Sequence, residues 1–315
     1  MIAFAARRLG WALVMALVAS IVSFVLFWSI PNVDPSYWLG GAEKGTNETR
    51  AMAVEQYGLD DPLPVQYVRL MKSILNGDVE CFYGCASLRT AFVQALPVTL
   101  SLVGGATLIA ILAGTGLALL CVRHRHRWPD RLITGAAAVA YSVPSLVLAS
   151  VMWAFLAYKW QIFPSEGYVG LREDPAEWAW HLLLPWIAAA LPFTGAYVQI
   201  VRSSLLETVD ADWVRTARAK GLSEGRVLRR HVLRNALIAP VNIWGLDLSH
   251  ALGGYALYVE VIFGLPGVGL LTADTIGTLD LPPIVAMAIY LSVVVVLMSA
   301  VIDVIVAWLD PRIRR

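Results

Sequence analysis

Gly221-Leu-Ser223-Glu-Gly225 has the G-x-S-x-G spacing of a nucleophile elbow, and it sits inside a stretch, Val214–Asn235, that holds seven Lys/Arg. An elbow needs a strand before the serine and a sheet around it, so that the hydroxyl stands exposed beside oxyanion-binding amides. The residues before Ser223 are basic and follow a helical pattern instead. Leu205, Val209, Trp213 and Ala217 recur at spacing four and mark one apolar helix face, with Arg215 and Arg218 pointing elsewhere. Gly221 suits the C-terminus of that helix, and Ser223 suits the N-cap of a second one. We therefore read Ser223 as a cap and the stretch as helix, tight turn, helix. Other catalytic sets lack their minimum residues. The chain has no C-x-x-C, no H-E-x-x-H and no Gly-Lys dipeptide, which removes zinc-finger, metalloprotease and P-loop readings and leaves no expected metal site. His124 and His126 stand among arginines and read as solvated loop residues.

Asp247 and His250 are three residues apart, on one face of a helical pattern. They fall about 12–17 Å from the cytoplasmic end of the apolar run that carries them, near mid-membrane. Ionisable groups at that depth are costly and face a cavity or a partner. Two readings stay open: residues lining a path, or a structural interhelical polar pair. Tyr255, Tyr258 and Glu260 follow toward the outer end of the same run as further path candidates. Asp303, in the last run, reads as structural.

The elements that must position these groups are membrane spans. Of the 315 residues, 58% are hydrophobic and only 15% are charged, against about 25% charged in soluble domains; mean hydropathy is +0.66. Six apolar runs are long enough to cross a bilayer, which takes about 20 residues. They cover about 9–30, 96–122, 132–158, 181–201, 239–263 and 284–309. Runs this long satisfy their backbone in lipid as helices. The third contains Pro144, and the fourth contains Pro185 and Pro192. The first lacks a cleavage site of the A-x-A type and reads as a retained span rather than a signal peptide. In the second, Ala106, Ala110, Gly114 and Ala118 form a small-residue stripe that permits close helix packing.

Charge orients the spans. Seventeen of the 24 Lys/Arg lie at the two termini and in the loops after the second and fourth runs. The positive-inside bias places both termini and the basic stretch in the cytoplasm. The expected fold class is thus an all-α membrane protein with six transmembrane helices and cytoplasmic termini. Residues 1–31 give the N-terminus and first span. Residues 32–92 are too long for a connector and suggest a small extracytoplasmic subdomain. Within it Cys81 and Cys85 face an oxidising compartment if the membrane belongs to a bacterial envelope; they form either a local disulfide or two free thiols. Residues 93–315 form the remaining five-span core, with the cytoplasmic loop at about 202–238.

Asp212-Trp-Val-Arg-Thr-Ala-Arg-Ala-Lys-Gly-Leu-Ser223 resembles the EAA loop of permease subunits of binding-protein-dependent ABC importers. The resemblance is to the dipeptide/oligopeptide/nickel permease branch. Ala6-Arg-Arg-Leu9, Tyr57–Tyr67, Ser142–Ser145, His181–Pro185, Arg202–Glu207, Arg230–Leu237, Val259–Gly269 and Leu309–Arg312 resemble it in the expected order, across essentially the whole chain. His231, Leu233 and Arg234 replace the I-x-L-P of the general EAA pattern, a variation similar to that of the peptide branch. The Cys81–Cys85 segment is unusual for the outer loop.

The resemblance implies half of a translocation path for di- and oligopeptides, shared with a second homologous permease. It implies two cytoplasmic ABC ATPase domains that bind ATP and Mg, no cofactor in this chain, and no enzyme activity of its own. It also implies an extracytoplasmic substrate-binding protein, a bacterial inner-membrane location in contact with lipid, and no nucleic-acid partner. Asp212, Trp213, Arg215, Ala217, Arg218, Ala219, Lys220 and Gly221 would form the ATPase-coupling element. The glycine- and proline-rich segment Gly264–Gly269 would break the fifth span on the outer side and help receive the binding protein. Nickel chelates, glutathione-like compounds and oligosaccharides are the alternative cargoes. An ion-coupled secondary transporter is a rival of another class; it calls for internal repeats with interrupted helices, and no convincing repeat is visible.

Overall fold

The computed structural model describes residues 2–28, 51, 54, 55, 58, 60–79, 87–277 and 281–309. Cys81 and Cys85 lie outside the described residues, as does most of the 32–62 segment. Among the described residues the secondary structure is entirely helical. In chain order the main helices are α1 (Ile2–Trp28), α2 (Leu63–Asn76), α3 (Leu88–Arg123), α4 (Trp128–Ser142), α5 (Ser145–Met152), α6 (Pro175–Val209), α7 (Asp212–Ala219), α8 (Ile238–Gly253), α9 (Tyr255–Phe263), α10 (Val268–Gly277) and α11 (Leu281–Leu309).

Three apolar runs appear as single long helices. α3 has 36 residues, α6 has 35 and α11 has 29. Pro97 in α3, and Pro185 and Pro192 in α6, leave those helices continuous. Prolines are tolerated there because surrounding groups can satisfy the carbonyls they free.

Two runs differ from the expected single helices. The run 132–158 bends by 97° between α4 and α5. Val143 precedes Pro144 and is extended, with φ −82° and ψ 126°, because the proline ring disfavours a helical conformation in the residue before it. A wider π-helical turn, Trp153–Lys159, completes the second arm. The run 239–263 is interrupted at Gly254, whose φ of −116° and ψ of −104° separate α8 from α9. α9 then ends at Gly264, which is left-handed at φ +60°. By length and composition, three helices among the described residues can cross a membrane, or up to five if α4 with the arm Ser145–Lys159, and α9 with α10, each count as one span.

The chain divides into two compact units. The first comprises residues 1–100 and 265–301. In it α2 buries Gln66, Leu70 and Ile74, a spacing-four stripe. Gly77, at φ +83°, ends α2, and the amides of Gly77 and Asp78 both donate to the Ser73 carbonyl. The α2 stripe joins Phe24 of α1, Leu88 and Phe92 of α3, and Val285 and Met287 of α11 in one core. Ser20 and Tyr67 hydroxyls hydrogen bond at 2.7 Å, and Phe24 meets Tyr67 edge-on at 5.4 Å. The Val268 amide donates to Thr99 Oγ1 at 2.8 Å, which satisfies the first turn of α10.

The second unit comprises residues 101–264 and 302–315. Its helices meet where side chains are missing. A Cβ at Gly195 of α6 would lie 2.4 Å from the Ala137 carbonyl of α4, so only glycine permits that approach. A Cβ at Gly114 of α3 would lie 2.7 Å from Tyr197 Cβ. Ala106, Ala110 and Ala118, the rest of the small-residue stripe, are buried. Trp186 fills the space over Gly105 and donates from Nε1 to the Ser101 carbonyl at 2.9 Å.

Candidate functional site

The basic stretch begins where α6 stops. Asp210 and Ala211 leave the helix, and Ala211 is extended at φ −69° and ψ 144°. α7 restarts at Asp212 with its rotational phase reset. Val214 and Ala217 consequently face inward, packed with Ala118, Val201, Leu205, Val227, Val232 and Ala236. Trp213 does not join that face as its spacing from Leu205 and Val209 predicts: it is 44% exposed. Spacing four keeps residues on one face only within a continuous helix, and the break at Asp210–Ala211 resets the phase. Arg215, Thr216, Arg218, Ala219 and Lys220 are exposed beside Trp213. Asp212 and Arg215 approach to 3.5 Å on the surface. α7 therefore has one side seated in the protein's own core and one side carrying an indole and cations.

Gly221 ends this element at φ +77°, with its amide donating to the Arg218 carbonyl at 2.9 Å. The space around it is open, so the backbone conformation, rather than crowding, calls for glycine. The Ser223 carbonyl accepts from the Arg226 and Val227 amides, the position expected of a residue that starts a helix. The second helix comes in pieces: Glu224–Arg226, a π-helical turn Val227–Val232, then Leu233–Ala236. Ser204 Oγ donates to the Ala236 carbonyl at 2.6 Å and ties the segment back to α6.

Polar contacts brace the base of α6 next to α7. Arg202 grips Asp130 of α4 through two hydrogen bonds, at 2.8 and 2.9 Å. Asp130 is buried and also accepts from the His126 amide at 3.2 Å. Arg125 reaches Asp210 at 3.3 Å, in a more exposed pair. In the sequence Arg125 and Arg202 stand only as loop charges. A buried carboxylate pairs with a guanidinium when both can be satisfied, but nothing local in the sequence joins residues 72 apart.

The path candidates separate. Asp247 of α8 accepts a 2.9 Å hydrogen bond at Oδ2 from the Tyr197 hydroxyl of α6. Asp247 and Tyr255 line a cavity of about 10 Å³ together with Ala106, Thr107, Ala110, Phe193 and Tyr197. Phe193 packs on Tyr255 at 5.0 Å, and Tyr197 packs on Trp244 at 5.9 Å. Glu260 is fully buried and Tyr258 is 49% exposed; neither lines this cavity. His250 lies one turn beyond Asp247 in α8, with its side chain outside the described residues. Phe193 and Tyr197 escaped the sequence reading. Their signal was an aromatic pair at spacing four in a span, one member with a hydroxyl that needs a partner in lipid. Among the described residues, no group of three His, Cys, Asp or Glu could hold a metal ion.

Comparison with known proteins identifies what carries this architecture. Residues 106–315 match the model of the binding-protein-dependent transport system inner membrane component, and residues 1–103 match its N-terminal membrane-component model. The chain is 31% identical to the probable peptide ABC transporter permease y4tP of Sinorhizobium fredii, over 98% of both chains. It is 31% identical to the probable D,D-dipeptide transport system permease DdpB of Escherichia coli K12, covering 98% of this chain and 97% of that one. It is 30% identical to the oligopeptide transport system permease AppB of Bacillus subtilis over the full length of both. Among solved structures, an inward-facing MetNI methionine ABC transporter chain matches 70% of this chain and 97% of its own, with a TM-score of 0.52 and 17% identity, a likeness of fold.

Proposed function

The chain belongs to the family of inner membrane components of binding-protein-dependent transport systems, and from that premise we propose that it is the permease subunit of a peptide importer. Its six spans, with both termini in the cytoplasm of a bacterium, supply half of a translocation path. A second homologous permease supplies the other half. Two ATPase domains bind ATP and Mg, and an extracytoplasmic binding protein delivers the cargo. Full-length relatives named as peptide, dipeptide and oligopeptide permeases support the cargo class.

The observation that carries the mechanism is the two-sided α7. Val214 and Ala217 root it in the core shared with α3 and α6, while Trp213, Arg215 and Arg218 remain exposed. An ATPase domain that grips the outer side would move α7 as a rigid lever. The lever would pass that motion to α6 through Leu205 and Val201. The exposed indole would enter an apolar groove, and the arginines would make charge-assisted contacts at its rim. Gly221 sets the turn that returns the chain to the membrane. Asp212, Ala219 and Lys220 complete the contacting surface.

Gentle affinity purification from the native membrane, followed by mass spectrometry, tests this reading. Stoichiometric recovery of a second permease and P-loop ATPases is expected. Recovery of this chain alone, active in ion-driven uptake, would overturn it.

A further inference from the structure

We propose that the cavity beside Asp247 is a subsite for the N-terminal ammonium group of a peptide in transit, an inference that rests on the peptide-importer reading. Three features of the cavity select that chemistry. The first is charge. Asp247 of α8 places a carboxylate at the cavity wall, and among the described residues no Lys or Arg forms an ion pair with it. A carboxylate inside a membrane protein requires a partner or a wet cavity, and a cationic guest supplies the partner. The Tyr197 hydroxyl occupies Oδ2 and fixes the carboxylate's orientation.

The second feature is the aromatic wall. Phe193, Tyr197 and Tyr255 all border the cavity. Aromatic faces carry partial negative charge and attract ammonium groups, so wall and carboxylate favour the same guest. A cargo carboxylate would be repelled by both.

The third feature is size. The cavity holds about 10 Å³, room for about one water-sized group. That admits an ammonium head and excludes an amino-acid side chain. Ala106 and Ala110 are among the lining residues, and a larger side chain at either would take up space of this size. A subsite of this size reads the one cation that every unmodified peptide carries and ignores sequence, leaving sequence discrimination to the binding protein.

The test uses the complete importer, with its partner permease, ATPases and binding protein, in proteoliposomes. Import of alanine-only peptides of two to five residues, which carry no lysine, is measured at saturating loaded binding protein. Asp247→Asn keeps the shape and can still accept from Tyr197, but removes the charge; it is expected to lower import at least about tenfold. Methylammonium, whose ammonium head matches a water-sized space, is expected to inhibit the parent, while tetramethylammonium does not. The residual import of Asp247→Asn is expected to ignore methylammonium. Parent-level import by Asp247→Asn would overturn the subsite and leave the importer reading standing. A loss in Asp247→Asn without methylammonium inhibition of the parent would make Asp247 only a structural partner of Tyr197. Failure of the parent complex to import any of these peptides would overturn the peptide reading, and this inference with it.

Discussion

Arg202 of α6 holds Asp130 of α4 in a two-point grip, Nε to Oδ1 at 2.8 Å and Nη2 to Oδ2 at 2.9 Å. The carboxylate side chain is 5% exposed and the guanidinium 26%. Removing one partner from a buried pair leaves an uncompensated charge, so Arg202→Ala should cost about 3 kcal/mol. Thermal unfolding in detergent would measure it, and the double variant Asp130→Leu/Arg202→Leu should recover part of the loss. Arg125→Ala should cost well under about 1 kcal/mol, because its pair with Asp210 is 40% and 59% exposed. Equal losses for Arg202→Ala and Arg125→Ala would show that burial does not set their weight.

Gly221 is left-handed at φ +77° with open space around it. Gly221→Val forces a β-branched residue into that region, at about 1–3 kcal/mol of local strain. Insertion and assembly should survive, while substrate-stimulated ATPase activity and transport should fall together. Gly221→Asn should keep most activity, because asparagine visits this conformation more readily. Normal coupled transport in the valine variant would remove Gly221 from the coupling turn.

Trp213 and Val214 are neighbours in sequence with opposite surroundings, 44% and 0% exposed. Trp213→Ala should leave the unfolding midpoint within a degree or two, since isolated surface changes cost about 0.5 kcal/mol or less, but should reduce stimulated ATPase activity about tenfold or more. Val214→Asp should destabilise the protein outright by placing an unpaired carboxylate in the core. Unchanged ATPase stimulation in Trp213→Ala would place the ATPase contact elsewhere.

A Cβ on Gly195 would sit 2.4 Å from the Ala137 carbonyl and 3.0 Å from the Tyr141 amide nitrogen, both backbone atoms that cannot swing away. Gly195→Ala should therefore separate α4 from α6 and cost about 1–3 kcal/mol. Gly135→Ala, on α4 with nothing within 4 Å, is the matched control and should cost nothing. The difference between their unfolding midpoints is the measurement.

Thr99 is buried and accepts from the Val268 amide at 2.8 Å. Thr99→Val keeps the shape and removes the acceptor, leaving that amide without its partner. The expected loss is about 1–3 kcal/mol, while Thr99→Ser should hold near the parent value. A valine variant as stable as the parent would mean that water or another group satisfies the amide.

The sequence by itself determined the apolar helices α3, α6 and α11 and the helix–Gly221–helix outline of the basic stretch. Each rests on patterns within one turn or one window: apolar length, and glycine and serine at helix ends. Proline was ambiguous at this level. Pro185 and Pro192 sit inside an unbroken helix, whereas at Pro144 the axis turns by 97°. Which prolines bend a span depends on the neighbours available to satisfy the freed carbonyls, and those come from packing. Packing also decided that Trp213 faces outward once α7 restarts out of phase with α6. It joined Asp247 to Tyr197 across 50 residues and Asp130 to Arg202 across 72. A carboxylate's partner is whichever donor helix packing brings within about 3 Å, and no periodicity along the chain encodes that distance.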